Sequence, residues 1–280
     1  MSAALRRRFQ RARVFVLAGS VLALGVAAPL AVAEAQLEVD ELEVFIASVG
    51  RERSASFRVR NTSAAPVTAR LGVADWSRQS DGTNEFVDAG TVLGACADKV
   101  SIFPQLASLA PGESQVVRVS YTGDSLRTMC WAAVMVGVAP GAAQSTGGAG
   151  IAAEIRSAVK VYVNPVVTDL AVRVEDIDVG THRPTLGESA ADTIGTDVIA
   201  RLRNHGNVQV RAKVRVEYRS VADSVVARAE DDDVPMLPGT ERLWRTKIPA
   251  LAPGRYVVLV VVDFGGTELV AGQLELELTP

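Results

Sequence analysis

Beyond residue 35 apolar and polar residues alternate with a period of two. The pattern is plainest at Val208, Val210, Ala212, Val214, Val216 and Tyr218, interleaved with Gln209, Arg211, Lys213, Arg215, Glu217 and Arg219. Successive side chains on a strand point to opposite faces, so this run predicts a strand with one apolar and one solvated face. Val67, Ala69, Leu71 and Val73 repeat the pattern, as do Leu274, Leu276 and Leu278 between Gln273, Glu275 and Glu277. Residues 130–136 and 256–262 are apolar on both faces and predict central strands. No stretch sustains a helical period with caps over three turns, while Asp81-Gly82, Pro111-Gly112, Pro238-Gly239 and Gly265-Gly266 punctuate the strands as turns. The chain reads as all-β, built of sandwiches.

The pattern also repeats. Phe57-Arg58-Val59-Arg60-Asn61 followed by Val67-Thr68-Ala69-Arg70-Leu71 resembles Ala200-Arg201-Leu202-Arg203-Asn204 followed by Val208-Gln209-Val210-Arg211-Ala212. Leu109-Ala110-Pro111-Gly112-Glu113 is echoed by Leu237-Pro238-Gly239-Thr240-Glu241 and again by Leu251-Ala252-Pro253-Gly254. This reads as a strand, an Asn-containing turn, an antiparallel partner and a Pro-Gly turn, used twice in tandem. Because proline cannot continue a ladder, the boundary is placed at Asn164-Pro165, giving two tandem immunoglobulin-like β-sandwich domains at 36–164 and 165–280. Residues 140–150 and 176–196, rich in small and turn-forming types, are expected to be mobile loops, and the polar flanks of the boundary suggest a modest joint. The run Glu230-Asp231-Asp232-Asp233 lacks the spaced ligands of a calcium loop and reads as a solvated patch.

Residues 1–35 read differently. Arg6, Arg7, Arg8, Arg11 and Arg13 precede an uncharged run at 14–33 and then small residues suited to cleavage, after Ala31-Val32-Ala33 or Ala33-Glu34-Ala35, which is the form of an N-terminal signal peptide. The run is nearly long enough to be an uncleaved anchor, but Gly19, Ser20, Gly25 and Pro29 dilute it; the double arginine gives only a weak twin-arginine signal. The 280-residue chain carries 29 basic and 32 acidic residues, and removing residues 1–35 takes five Arg and one Glu, leaving a net charge of minus seven. An acidic exported protein makes nucleic acid an unsuitable partner. Export also predicts that Cys96 and Cys130 form an intramolecular disulfide; there is no CxxC or zinc spacing.

The chemistry of catalysis finds little support. His182 and His205 are the only histidines, neither lies near a GxSxG-type nucleophile, and both stand in turn-like contexts, His205 in the hairpin-like Asn204-His205-Gly206-Asn207. No cofactor loop or metal cluster accompanies any carboxylate pair, so no enzyme, cofactor or small-molecule substrate is expected, and function is expected in binding.

Residues 151–165 form the sharpest segment, and Lys160-Val161-Tyr162-Val163-Asn164-Pro165 resembles the signature that closes the first domain of periplasmic pilus chaperones of the chaperone/usher pathway. Val59-Arg60-Asn61-Thr62, Phe103-Pro104, Leu109-Ala110-Pro111-Gly112, Val117-Arg118-Val119 and Trp131 fall in the same order as that family's landmarks, over most of residues 37–165 and faintly beyond. The placement of Cys96 and Cys130 is similar to a disulfide of its long-loop branch. The resemblance implies a periplasmic protein that binds pilin-like subunits and an outer-membrane usher, lending Ile151, Ala153 and Ile155 to an incomplete subunit sandwich while Lys160 anchors a terminal carboxylate. In the family an Arg of the first strand completes the anchor; here Leu42-Glu43 precedes Val44-Phe45-Ile46, and a Glu repels a carboxylate. The residues also fit a plainer reading, in which Lys160 is a charge at a strand end, Ile151, Ala153 and Ile155 face their own core, and the chain is a structural or adhesive cell-envelope protein of tandem modules.

Overall fold

The computed structural model describes residues 37–138, 156–181, 196–248 and 251–279. The first group of strands comprises β1 (Leu37–Val39), β2 (Glu43–Ala47), β3 (Ser54–Asn61), β4 (Val67–Arg78), β5 (Asn84–Val87), β6 (Val100–Phe103), β7 (Leu106–Leu109), β8 (Ser114–Tyr121), β9 (Cys130–Val138) and β10 (Arg156–Asn164). They make one sheet in the order β1-β3-β8-β6 and a second in the order β2-β10-β9-β4-β5, with β7 beside β4. The second group comprises β11 (Val172–Thr181), β12 (Thr196–Asn204), β13 (Val210–Ser220), β14 (Val225–Met236), β15 (Glu241–Ile248), β16 (Gly254–Asp263) and β17 (Val270–Leu278), in sheets ordered β11-β12-β15 and β14-β13-β16-β17. Every pairing between these strands is antiparallel except β2 with β10. The one helical element among the described residues is a 3-10 turn at Ala97–Lys99.

Each group encloses its own core, as the alternation predicts. Phe57, Val59, Val117 and Val119 of one sheet meet Leu71, Val134, Val159 and Val161 of the other, and in the second group Val198, Ala200 and Leu202 meet Val214, Val216, Val258 and Val260. β9 and β16 are interior strands of their sheets, which explains why their sequences are apolar on both faces. A third cluster lies where the groups meet: Trp76, Met129, Trp131, Ala133 and Tyr162 of the first group with Val208 and Leu237 of the second. The expectation of a modest polar joint is therefore corrected. Ala35–Pro280 forms one compact unit.

The sequence repeat is a structural repeat at the level of single hydrogen bonds. Buried Asn61 donates from Nδ2 to the carbonyls of Ala65 (2.8 Å) and Leu109 (3.1 Å), and its Oδ1 accepts from Ser63 N (2.9 Å). Buried Asn204 donates to Val208 (2.8 Å) and Met236 (3.1 Å) and accepts from Gly206 N (2.9 Å). The Pro-Gly turns close back on them, Gly112 N on Asn61 O (3.0 Å) and Gly239 N on Asn204 O (2.9 Å). Both glycines have left-handed φ, 77° and 72°, as the third residue of such a turn requires.

Several expectations need correction. The Asn turns are not hairpins: β3 pairs with β8 and β4 with β9, while β12 pairs with β15 and β13 with β14 and β16, so each turn carries the chain from one sheet to the facing one. A short turn alone cannot say whether the next strand returns along the same sheet or crosses to another. Gly254 begins β16, so Leu251-Ala252-Pro253-Gly254 is not a third copy of the turn. Residues 176–181 belong to β11, because Ile177 and Val179 are half buried against the second core although Asp and Gly surround them. The Glu230-Asp231-Asp232-Asp233 run, by contrast, lies exposed as expected, on the edge strand β14, with its charges set against Arg211, Lys213 and Arg228. The expected signal peptide at 1–35, the loop at 140–150, His182 and Ile151, Ala153 and Ile155 lie outside the described residues.

Candidate functional site

The strand that the sequence singles out, β10, is antiparallel to β9 along its length, from Arg156 opposite Gly137 to Val163 opposite Cys130. On its other side β2 runs parallel, but only from Lys160 opposite Glu43 to Asn164 opposite Ala47. Lys160 N donates to Leu42 O (2.8 Å), closing the β2 side of that residue. Among the described residues, Ser157, Ala158 and Val159 have ladder partners on the β9 side alone. Amide directions alternate along a strand, so the N–H and C=O of Ala158 point, like those of Lys160, to the β2 side, where no strand of the described residues lies against them. The result is a short open edge next to exposed Leu42 and Phe45.

Val159, Val161 and Val163 turn into the first core, so Lys160 and Tyr162 project from the opposite face. Tyr162 is fully buried there, stacked on Phe45 (5.1 Å between centroids) and edge-on to Trp76 (6.0 Å). The two tryptophans below are mutually satisfied, since Trp131 Nε1 donates to Trp76 O (2.7 Å) and Trp76 Nε1 to Ala132 O (3.0 Å). Lys160 Nζ lies 5.2 Å from the centre of the Trp76 ring. This aromatic floor removes water from one side of the ammonium. Burial and then the Arg78 charge hold the Lys160 pKa below its ordinary value, against the pull of Glu43.

Around that floor charges from both strand groups converge. Glu43 accepts from Arg211 Nη1 of β13 (2.8 Å) and from Tyr162 OH (3.3 Å), and its Oε1 is 4.0 Å from Lys160 Nζ. Arg211 is held in turn by Asp233 through two hydrogen bonds, which raise its pKa. Burial followed by the Glu43 charge pushes the Tyr162 phenol well above its usual range, so it stays a neutral donor. Arg78 lies over Trp76 (5.6 Å) and donates to Gly82 O (3.3 Å), and among the described residues it makes no ion pair. The β4–β5 turn that follows it docks on the second group, where Arg242 donates to Ser80 O (2.7 Å); burial and the Arg78 charge lower the Arg242 pKa. The cleft thus collects Lys160, Arg78 and Arg211 around Glu43 and Asp233, an arrangement suited to an anion.

The sequence pointed to Lys160, and the structure puts it in the cleft. It did not point to Arg78, Arg211, Trp76 or Tyr162. Arg211 is one of several cations on the solvated face of its strand, and nothing in its spacing separates it from Lys213 or Arg215. Glu43 stood out only as a departure, and it occupies the centre of the cluster.

The joint is fastened at Asn207. Its Nδ2 donates to the carbonyls of Arg127 (2.8 Å) and Val167 (2.8 Å), its Oδ1 accepts from Asp169 N (2.7 Å), and its own carbonyl accepts from Met129 N (2.8 Å). One side chain thereby ties together the segment before β9, the stretch after Pro165 and the β12–β13 crossover. Cys130, at the start of β9, is bonded to Cys96 as expected, with Cα atoms 5.7 Å apart. Buried Asp75 holds the loop that leads to Cys96 by accepting from Thr91 N (2.8 Å), Val92 N (3.0 Å) and Ala97 N (3.2 Å). Gly94 has a left-handed φ of 88°, and a Cβ there would come within 2.8 Å of the Trp131 ring.

No protein-family model matches this sequence. None of the curated proteins matches it either. Solved structures do. A chain of the chaperone–tip adhesin complex of CFA/I fimbriae biogenesis superposes with a TM-score of 0.50 at 13% identity, covering 88% of this chain and 100% of that one. The class 5 fimbriae chaperone CfaA superposes with a TM-score of 0.50 at 13% identity, covering 87% of this chain and 99% of that one. At such low identity the likeness concerns the path of the backbone: this chain has the fold of a fimbrial chaperone.

Proposed function

We propose that the chain is a periplasmic, non-enzymatic chaperone that binds exported pilin-like subunits by lending them a β-strand and passes them on toward an outer-membrane usher. It does so as two immunoglobulin-like domains, residues 36–164 and 165–280, behind a signal peptide at 1–35. The observation that carries the reading is the open edge of β10 at Ser157, Ala158 and Val159, which ends at Lys160 in a cation-lined cleft. Main-chain groups on an open edge give affinity to an added strand, and side chains of alternate residues give specificity. Ile151, Ala153 and Ile155 continue the parity of Val159 and supply those side chains. Lys160 takes the subunit's terminal carboxylate, with Arg78 as the second cation in place of the family's first-strand arginine.

Co-expression with pilin-like subunits in the periplasm tests the reading. Replacing Ile151 and Ile155 by Asp should leave the fold intact and abolish co-purification, since each charge must enter an apolar groove. Lys160→Ala should weaken the same complex by roughly 1.5–3 kcal/mol, the worth of a charge-assisted hydrogen bond. Unfolding of the first strand group by the double Asp change would assign those side chains to its own core and favour the structural or adhesive reading.

A further inference from the structure

The carboxylate of Glu43 already stands where the proposed function places a carboxylate from outside. It takes hydrogen bonds from Arg211 (2.8 Å) and Tyr162 (3.3 Å) and lies 4.0 Å from Lys160 Nζ, over the same aromatic floor. Its side chain is 23% exposed, so the group can be reached from the cleft mouth. The position is fixed by the parallel pairing that sets Glu43 beside Lys160, while Arg211 approaches from the other strand group. Glu43 therefore has the chemistry of a ligand and is tethered to the strand next to the open edge.

We propose that Glu43 is a built-in competitor: its carboxylate occupies the Lys160 anchor in the free protein and must yield to the terminal carboxylate of a bound strand. This rests on the carboxylate-anchoring part of the proposed function. Two carboxylates drawn to one ammonium repel each other, so binding of the second loosens the first. The cost falls on every partner alike, but only a partner whose strand also pairs along Ser157, Ala158 and Val159 offsets it. A free carboxylate without a strand is turned away.

The test uses the mature exported protein and two synthetic peptides of alternating valine and serine, one ending in a free carboxylate and the other in an amide, titrated by calorimetry. Glu43→Gln should bind the free-carboxylate peptide roughly fivefold more tightly than wild type, the scale of a partly exposed ion pair, and bind the amide unchanged. Glu43→Ala, which cannot keep a hydrogen bond to Arg211, should behave in the same way. If both variants bind the free-carboxylate peptide equally or more weakly while Lys160→Ala still weakens it, Glu43 is a support for the anchor and the competitor is overturned with the anchor intact. If neither amidation nor Lys160→Ala changes binding, or no peptide binds, the carboxylate site fails and the competitor with it.

Discussion

Under the proposed function Lys160 meets two opposed demands. Recognition of a carboxylate wants a desolvated ammonium, and the folded chain loses stability by desolvating it. Its pKa lies below the ordinary 10.5 because burial, and then Arg78, outweigh the attraction of Glu43. Below the folded value the lysine is charged in both folded and unfolded chains, and the folded chain bears the whole penalty. Between the folded value and 10.5 the folded chain sheds the proton first and the penalty shrinks; above 10.5 it is gone. Lys160→Met, which leaves Glu43 its bonds from Arg211 and Tyr162, should therefore melt higher than wild type near pH 7. The gap should close as pH rises through the window just under 10.5. Melting curves followed by circular dichroism across that range check it. A variant that melts lower at neutral pH would mean that Glu43 governs the lysine. Stability gained in this way comes with lost recognition, as is common where a site is built against the preferences of the fold.

At the scale of the element, β10 has two halves with different neighbours. From Lys160 onward it is flanked on both sides; before Lys160 only β9 accompanies it among the described residues. Ala158 is the residue whose amide faces the open side. Proline there removes that donor and places a ring in the path of an added strand, while the amides of Ser157 and Val159, which serve β9, stay in place. Ala158→Pro should abolish co-purification of subunits and cost the free protein only about 1 kcal/mol. Denaturant unfolding and pull-down measured side by side check this, and retained capture would take the edge out of the binding surface. The strand itself was legible, since its alternation and its closing Asn164-Pro165 stand in the sequence. Its open side was not, because the length of β2 opposite it depends on residues more than a hundred positions away.

At the scale of the whole molecule, the cleft exists because two strand groups with separate cores are held against each other. The hold has an apolar part, Trp76, Met129, Trp131 and Tyr162 against Val208 and Leu237, and a polar part centred on Asn207. Asn207→Ala removes three side-chain hydrogen bonds at one stroke. It should cost about 1–3 kcal/mol and split thermal unfolding into two transitions, one for each core, in a calorimetric scan. An unchanged single transition would leave the apolar cluster as the sole fastener. The repeat with Asn61 marks Asn204 in the sequence, but nothing there marks Asn207 three residues later, although Asn204 fixes a crossover within a strand group and Asn207 ties the two groups together.

Periodicity determined by itself that the described residues are almost all strand and turn, that residues 130–136 and 256–262 run through sheet interiors, and that the Asn and Pro-Gly motifs recur as a unit. These properties are local: which face of a strand is apolar and where a turn can form depend on a handful of neighbouring residues. Cys96 and Cys130 were legible for a different reason, as the only two thiols in a chain whose sequence predicts export. Tertiary structure alone decided that the Asn turns cross between sheets, that Glu43 stands beside Lys160, and that Arg78 and Arg211 converge from opposite strand groups. A charged side chain looks the same in sequence whether it faces water or a partner a hundred and sixty residues away. The energy that sets Glu43 against Arg211 comes from packing Trp76 and Tyr162 on Val208 and Leu237, a sum over both strand groups that no single segment contains.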